Sequence, residues 1–300
     1  MTRKLLFLGC NHAQVPYLKI IKSLDWEIVG IDLNVEPPGK VLCDKFYNIG
    51  YDNLNGLIGL GEKEGFTQND KIFTAAAQFA HKGAAHFAKY FNIPYVSEKT
   101  VDLCLDKAAY YEYFKKNDIP IPNTWYVNNE NVFKNLISSM GEPKWYYLKS
   151  DYSKNPNYVY RINSGDVHFE KIFWGQDRYL REFYILQEEF AGVSLRINVF
   201  GDRFNVFDFL TGEKTNIHHN KILALNIVQT LKQFIKKQGM QNWLVKFDII
   251  LSDNEYVVLD IGLDPPSRML KESKENKINF EKYYVAQYLL GKVEYPHKLD

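Results

Sequence analysis

Three aspartates, Asp248, Asp260 and Asp264, lie in or just beyond two apolar stretches separated by a polar turn, LVKFDIILSDNEYVVLDIGLD. The two apolar runs on either side of the polar turn predict two strands there. Carboxylates placed along such strands answer one of two needs: oxygen ligands for a hard cation, or ordinary sheet pairing with a lysine such as Lys246. Other charged residues occupy comparable places. Lys107 begins the helix in DKAAYYEYFKK, Lys149 ends the apolar strand WYYLK, and Glu188 and Glu189 close YILQEE. Each taken singly reads as a solvated end of a strand or helix. Their order along the chain, strand-Lys, loop, strand, Glu-Glu, long interval, strand-Asp, turn, strand-Asp, is the informative feature.

The hydrophobic pattern predicts the elements that carry these residues. KLLFLG is a strand, GCNHAQ a turn, VPYLKIIKSL an amphipathic helix and WEIVGIDLN a second strand, a β-α-β opening of the doubly wound type. KIFTAAAQFAHKGAAHFAKYFNIPYVS predicts a strand, an Ala-rich helix and another strand, so residues 1–97 form one α/β domain. A second domain is expected over 98–300, divided into 124–187 and 188–300. It opens with a helix through Asp106-Lys107 and the rigid turn IPIPNT. ILALNIVQTLKQFIKKQG predicts one long amphipathic helix and FEKYYVAQYLLG a C-terminal one. Asn11 and His12 follow the first strand, at the carboxyl end where α/β domains gather ligands. With His218 in TNIHHN they are substrate-binding candidates, the alternative for His218 being a solvated loop histidine.

With 300 residues, 46% hydrophobic and 24% charged, the chain has the composition of a globular protein. Its formal net charge of +1 gives no basic excess to favour nucleic acid or an anionic membrane as partner. Cys10, Cys43 and Cys104 are widely spaced, which argues against a disulfide framework or a zinc site. The cysteine pattern leads to the expectation of a cytoplasmic protein, and the apolar run after the basic start, which stops at Leu8, is too short for a signal or spanning segment. The first turn has only Gly9 and lacks GxGxxG, which makes a nicotinamide oxidoreductase a poor fit.

DKAAYYEYFKKNDIPIPNT, LQEEFAG and VKFDIILSDNEYVVLDIGLDPPSR together resemble motifs of the ATP-grasp superfamily of carboxylate ligases. The first is similar to that family's DK followed about a dozen residues later by IP.P, the second to its hinge VEEFIEG, and the third to its magnesium-binding acids. The resemblance covers nearly the whole chain. It implies an α/β protein with an ATP-grasp fold behind a doubly wound N-terminal domain. It also implies an ADP-forming enzyme that activates a carboxylate of an amino acid or small peptide as an acylphosphate and joins it to an amine.

Site roles follow from the resemblance. Lys107 and Lys149 would neutralise phosphate oxygens as point cations. The loop holding Ser150 and Ser153 would cover the phosphates, and Glu188, Glu189 and Ala191 would line the adenine. Asp248 and Asp260 would bind magnesium, or manganese in its place, with Asp264 as a replacement ligand. Arg196 would hold the phosphoryl group and Arg268 clamp a substrate carboxylate, the alternative in each case being an exposed arginine. The partners implied are a small carboxylate and an amine, and a homodimer stays open as the assembly.

Two departures stand out. The family's Glu-x-Asn is here Asp260-Ile261-Gly262, which removes an amide ligand, and DYSKNPNYV has no glycine to bring backbone N–H groups near phosphate. They motivate a second reading, a nucleotide-binding pseudoenzyme without turnover.

Overall fold

The computed structural model describes residues 3–151, 159–167, 183–201, 203–208, 215–265 and 280–290. The chain divides into two compact units. The first comprises 1–102, 196–246 and 261–300, and the second comprises 103–195 and 247–260.

The first unit is built on four parallel strands, β1 (Lys4–Leu8), β2 (Glu27–Ile31), β3 (Lys45–Tyr47) and β4 (Lys71–Thr74), in the order β3-β2-β1-β4. Period-2 geometry sends alternate residues of β1 to opposite faces. Leu5 and Phe7 pack with Tyr17, Leu18 and Ile21 of α1 (Val15–Lys22) and with Tyr284 and Val285 of the C-terminal helix Phe280–Leu290. Leu6 and Leu8 pack with Leu57 and Leu60 of α2 (Leu54–Glu64) and Phe87 of α3 (Ala80–Tyr90). Both faces are covered, which is why the strands read as continuous apolar runs. Asp32, at the carboxyl end of β2, holds the neighbouring turn: its Oδ2 accepts from the Cys10 N–H at 2.7 Å and its Oδ1 from the Asn34 N–H at 2.8 Å.

The second unit holds the last three residues of α4 (Glu98–Leu105), α5 (Lys107–Lys116), α6 (Glu130–Ser139) and a four-stranded antiparallel sheet. Its strands are β5 (Thr124–Val127), β6 (Trp145–Ser150), β7 (Val159–Asn163) and β8 (Tyr184–Glu188), in the order β5-β8-β6-β7. Phe133 and Ile137 of α6 pack on Tyr146, Leu148 and Leu186. A third sheet, ordered β10-β9-β11-β12, is formed by β9 (Val193–Phe200), β10 (Arg203–Asp208), β11 (Leu244–Leu251) and β12 (Tyr256–Gly262). The turn between β11 and β12 is closed by Ser252 N–H donating to the Glu255 carbonyl at 2.9 Å.

The mixed α/β class and the β-α-β opening agree with the sequence reading. Three local expectations do not hold. The stretch around IPYV forms no strand; Pro94 has no N–H to give a ladder. The helix expected through Asp106 is two helices, α4 and α5, because Asp106 takes extended dihedrals and caps the second. The helix expected over ILALNIVQTLKQFIKKQG is also two, α7 (His219–Ala224) and α8 (Ile227–Lys237). They are separated by Asn226, whose φ of +54° is left-handed and ends the first helix. Helices α2 and α6 have no counterpart in the sequence reading.

Candidate functional site

Lys107, Lys149, Asp248 and Asp260 all belong to the second unit, and their positions follow from local structure. The Asp106 side chain accepts from the Ala109 N–H at 2.9 Å, a helix N-cap that starts α5 at Lys107. The Lys107 N–H is in turn held by the Asp151 carbonyl at 2.7 Å, just past the end of β6. Lys107 is only 6% exposed, so its stem is committed to the interior. Removing the cap by Asp106→Ala is expected to lower unfolding free energy by about 1 kcal/mol, read as a shifted midpoint in urea.

Lys149 lies on β6, and its half-buried side chain runs to the second unit's interior. Its Nζ donates to the Tyr111 hydroxyl at 2.7 Å and sits 5.1 Å from that ring's centroid. Burial and the nearby Lys107 charge push the Lys149 ammonium down to about 7, against the opposing pull of Asp260 and Asp248. A like charge nearby and partial desolvation both disfavour the charged form of a lysine, and an anion favours it. The arrangement is one that a polyanion would relieve.

Tyr110 and Tyr111 were not singled out by sequence, yet one meets Asp260 and the other Lys149. Tyr110 OH donates to Asp260 Oδ1 at 3.0 Å, and Tyr111 OH reaches both the Leu259 carbonyl and, at 3.3 Å, Gln187 Oε1. Both rings are fully buried. The signal was present in DKAAYY: residues three and four after Lys107 share its face of a helix. Burial and the Asp260 carboxylate raise the Tyr110 hydroxyl well above its ordinary value, so it stays a proton donor.

Along β11, Lys246, Asp248 and Ile250 alternate with buried residues and form the half-buried face. On β12, Asp260 is half-buried as well. Asp264 is placed differently from the acid pair: its Oδ2 lies 2.6 Å from Lys246 Nζ, a lysine pairing, so the ion pair that sequence offered as the bland alternative for Asp248 is made by Asp264. A Cβ at Gly262 would lie 2.1 Å from Lys246 Cε, so the lysine stem fills the space that a longer side chain would need.

At the end of β8, Glu188 accepts from Lys144 Nζ at 2.6 Å and from Asn123 Nδ2 at 2.9 Å. Glu189 accepts a two-pronged contact from Arg161 Nε and Nη2, each at 2.9 Å, and a bond from Tyr147 OH at 3.1 Å. Hydrogen bonds from Asn123 and Lys144 hold the Glu188 carboxyl below its ordinary range, and those from Arg161 do the same for Glu189. Ala191 follows in an exposed loop. Arg196 on β9, Asn11 and His12 after β1, and His218 before α7 belong to the first unit. Ser153 and Arg268 lie outside the described residues.

No family model matches the sequence, and no curated protein matches it. Solved structures do. Phosphoribosylglycinamide synthetase from Anaerococcus prevotii aligns at 18% identity and a TM-score of 0.67, over 96% of this chain and 75% of that one. L-amino acid ligase from Bacillus licheniformis aligns at 13% identity and a TM-score of 0.69, over 99% and 75%. N5-carboxyaminoimidazole synthetase from Staphylococcus aureus, complexed with ADP, aligns at 12% identity and a TM-score of 0.70, over 96% and 78%. Identities this low speak to the fold, and these alignments, spanning nearly the whole chain, show it: the chain has the ATP-grasp fold.

Proposed function

We propose that the protein is an ATP-dependent, ADP-forming ligase that activates a carboxylate and couples it to an amine. The observation that carries the reading is that Lys149 and Asp260 bond to the adjacent Tyr111 and Tyr110 of α5, the helix Lys107 begins, with the charges of Lys107, Asp260 and Asp248 all acting on the Lys149 ammonium. Two crowded cations next to two carboxylates suit a nucleotide triphosphate bound through a divalent ion: the lysines meet phosphate oxygens, and the acids meet the metal. The fold is that of solved proteins whose names are synthetase and ligase, one of them holding ADP, which supports the same reading.

Among the described residues no three His, Cys, Asp or Glu side chains are grouped to hold a metal by themselves. Two aspartates nonetheless fit magnesium, which keeps waters and takes phosphate oxygens to complete its shell. Asp248 and Asp260 are the ligands in this reading, with Tyr110 fixing one Asp260 oxygen. When bound, the ion would screen the phosphates and polarise the terminal one. Asp264, paired with Lys246, is left outside this ligand set. The Glu188 and Glu189 carboxylates are engaged by Lys144 and Arg161, so in this reading adenine is met by the backbone near Ala191. Arg196 and Arg268 hold phosphoryl and carboxylate groups, Ser153 contacts phosphate, and Asn11, His12 and His218 contact substrate.

The test is phosphate release from ATP with magnesium in the presence of pooled amino acids. The ligase should release phosphate and form ADP only when acceptor substrates are present. Nucleotide binding with no release under any pool would contradict the ligase and favour the pseudoenzyme, whose motivation is the Gly262 and glycine-poor loop departures.

A further inference from the structure

Cys10 and Cys43 stand 33 residues apart in the chain, and the fold of the first unit brings their sulfurs to 4.0 Å. Cys10, just after β1, is completely buried, whereas Cys43, just before β3, is half-buried. Both are free thiols. They lie on the sheet face that α1 covers, over Gly30 of β2. A glycine inside a strand weakens it and marks a close approach. Here the approaching atoms are the two sulfurs: a Cβ at residue 30 would lie 2.3 Å from Cys43 Sγ and 3.1 Å from Cys10 Sγ. Glycine leaves room for both.

The backbone at each cysteine is fixed. The Cys10 N–H donates to Asp32 Oδ2 at 2.7 Å, and the Cys10 carbonyl accepts from the Gly39 N–H at 2.8 Å. The Cys43 N–H donates to the Lys40 carbonyl at 3.1 Å, and Asp44 beside it exchanges two bonds with the Ile28 backbone, at 2.9 and 2.8 Å. The sulfurs are held more loosely, Cys10 Sγ 3.7 Å from the Ile31 carbonyl and Cys43 Sγ 3.5 Å from the Gly39 carbonyl, contacts of a weak donor. Side-chain rotation is therefore the motion that can bring them to the roughly 2.05 Å of a disulfide. The two protons are held unequally. The hydrogen bond from Cys10 lowers the Cys43 thiol below its ordinary value, against burial and the Asp44 charge. The same bond raises Cys10, as do burial and the Cys43 and Asp32 charges.

We propose that Cys10 and Cys43 are a reversible disulfide site, Cys43 being the sulfur that a hydroperoxide oxidises and Cys10 the one that resolves it. The site is independent of the ligase reading. With hydrogen peroxide, the Cys43 thiolate attacks one oxygen: an S–O bond forms, the O–O bond breaks, and hydroxide leaves to take up the proton that Cys43 released. Cys43 is then a sulfenic acid. Cys10 Sγ attacks it; the S–S bond forms, the S–O bond breaks, and the hydroxyl departs with the Cys10 proton as water. In sum, two thiols and one peroxide give one disulfide and two waters, two electrons passing from sulfur to peroxide. Exposure selects Cys43 as the first to react, and the nearby Cys10 stops the oxidation short of sulfinic acid. The closed disulfide staples the turn that carries Asn11 and His12 to the segment before β3.

The experiment treats the full chain with hydrogen peroxide in small molar excess at neutral pH, quenches in acid, alkylates, and maps the cysteines by mass spectrometry. Of the 3 cysteines, Cys104 alone should keep its thiol, with the Cys10 and Cys43 peptides linked, and dithiothreitol should restore the other two. Cys43 should lose its thiol at least about tenfold faster than the buried Cys104. In Cys10→Ser, dimedone should trap a sulfenic acid on Cys43. In Cys43→Ser, Cys10 should keep its thiol at the same dose, with melting curves confirming that each variant folds. Two thiols that merely pack together would show neither the link nor this order. All thiols retained in the wild-type chain, or Cys43 driven to sulfinic acid without a link, would overturn the disulfide site. Dimedone found on Cys10 in Cys43→Ser would overturn the roles assigned to the two sulfurs.

Discussion

Lys149→Met should weaken ATP binding by about 10- to 100-fold, because the lost group is a half-buried charged donor, worth about 1.5–3 kcal/mol to its acceptor. The same substitution should leave the empty protein at least as stable as before near neutral pH. It removes an ammonium crowded by Lys107 and keeps an unbranched stem over the Tyr111 ring. Loss of a ligand site with no loss of stability is the signature of a residue placed for binding.

The wild-type chain adds a pH dependence with a definite sign. In the empty site Lys149 gives up its proton near about 7, whereas an unfolded lysine keeps its proton to roughly 10.4. Phosphate oxygens favour the ammonium, so above neutrality nucleotide binding must take up a proton. Affinity should therefore fall as pH rises from 7 toward 10, by up to about tenfold per pH unit. Stability of the empty chain moves the other way over the same window. There the unfolded chain holds the extra proton, so this lysine's contribution to stability rises with pH. The charged and titrating neighbours, Lys107, Asp248, Asp260 and Tyr111, are all present in both arms of the comparison. Calorimetry in two buffers of different ionisation enthalpy at pH 8 reads the proton uptake directly; equal heats in both would remove Lys149 from the phosphate site.

Asp260→Asn carries the other large effect. The amide keeps the shape and can still meet Tyr110 OH, so the fold should survive. It loses the anionic oxygen that magnesium prefers. Turnover should drop by at least 100-fold, while affinity for nucleotide without metal changes little. The magnesium-dependent part of the binding should be reduced. A variant with wild-type turnover would remove Asp260 from the metal site, and with it the reason for acids in this hairpin.

Much of this arrangement is legible in the sequence because it is local. The alternation in LVKFDIIL and the apolar run YVVLDIG give β11 and β12, and Asp248 and Asp260 take half-buried positions on them. Asp106 followed by Lys107 gives a cap and a helix start, although the cap also splits what reads as one helix. What sequence does not show is long-range. Tyr110 meets Asp260 across 150 residues, and Lys246 meets Asp264 by crossing a glycine that looks like a defect when read against a motif. Asn226 stops a helix through its own left-handed dihedrals, which neither its neighbours' hydrophobicity nor their period reveals. Helix α2 is hidden for a related reason: LNGLIGLGEKE carries three glycines, poor helix formers, and is held by packing of Leu57 and Leu60 on the sheet.

Binding of ATP in the presence and absence of magnesium, followed by thermal shift with ADP and NAD alongside, tests the central claim most directly. A ligand that binds only the folded chain raises its melting temperature by mass action. The account predicts a saturable rise with ATP that grows when magnesium is added, and none with NAD. No shift with ATP and magnesium at millimolar concentration would contradict it.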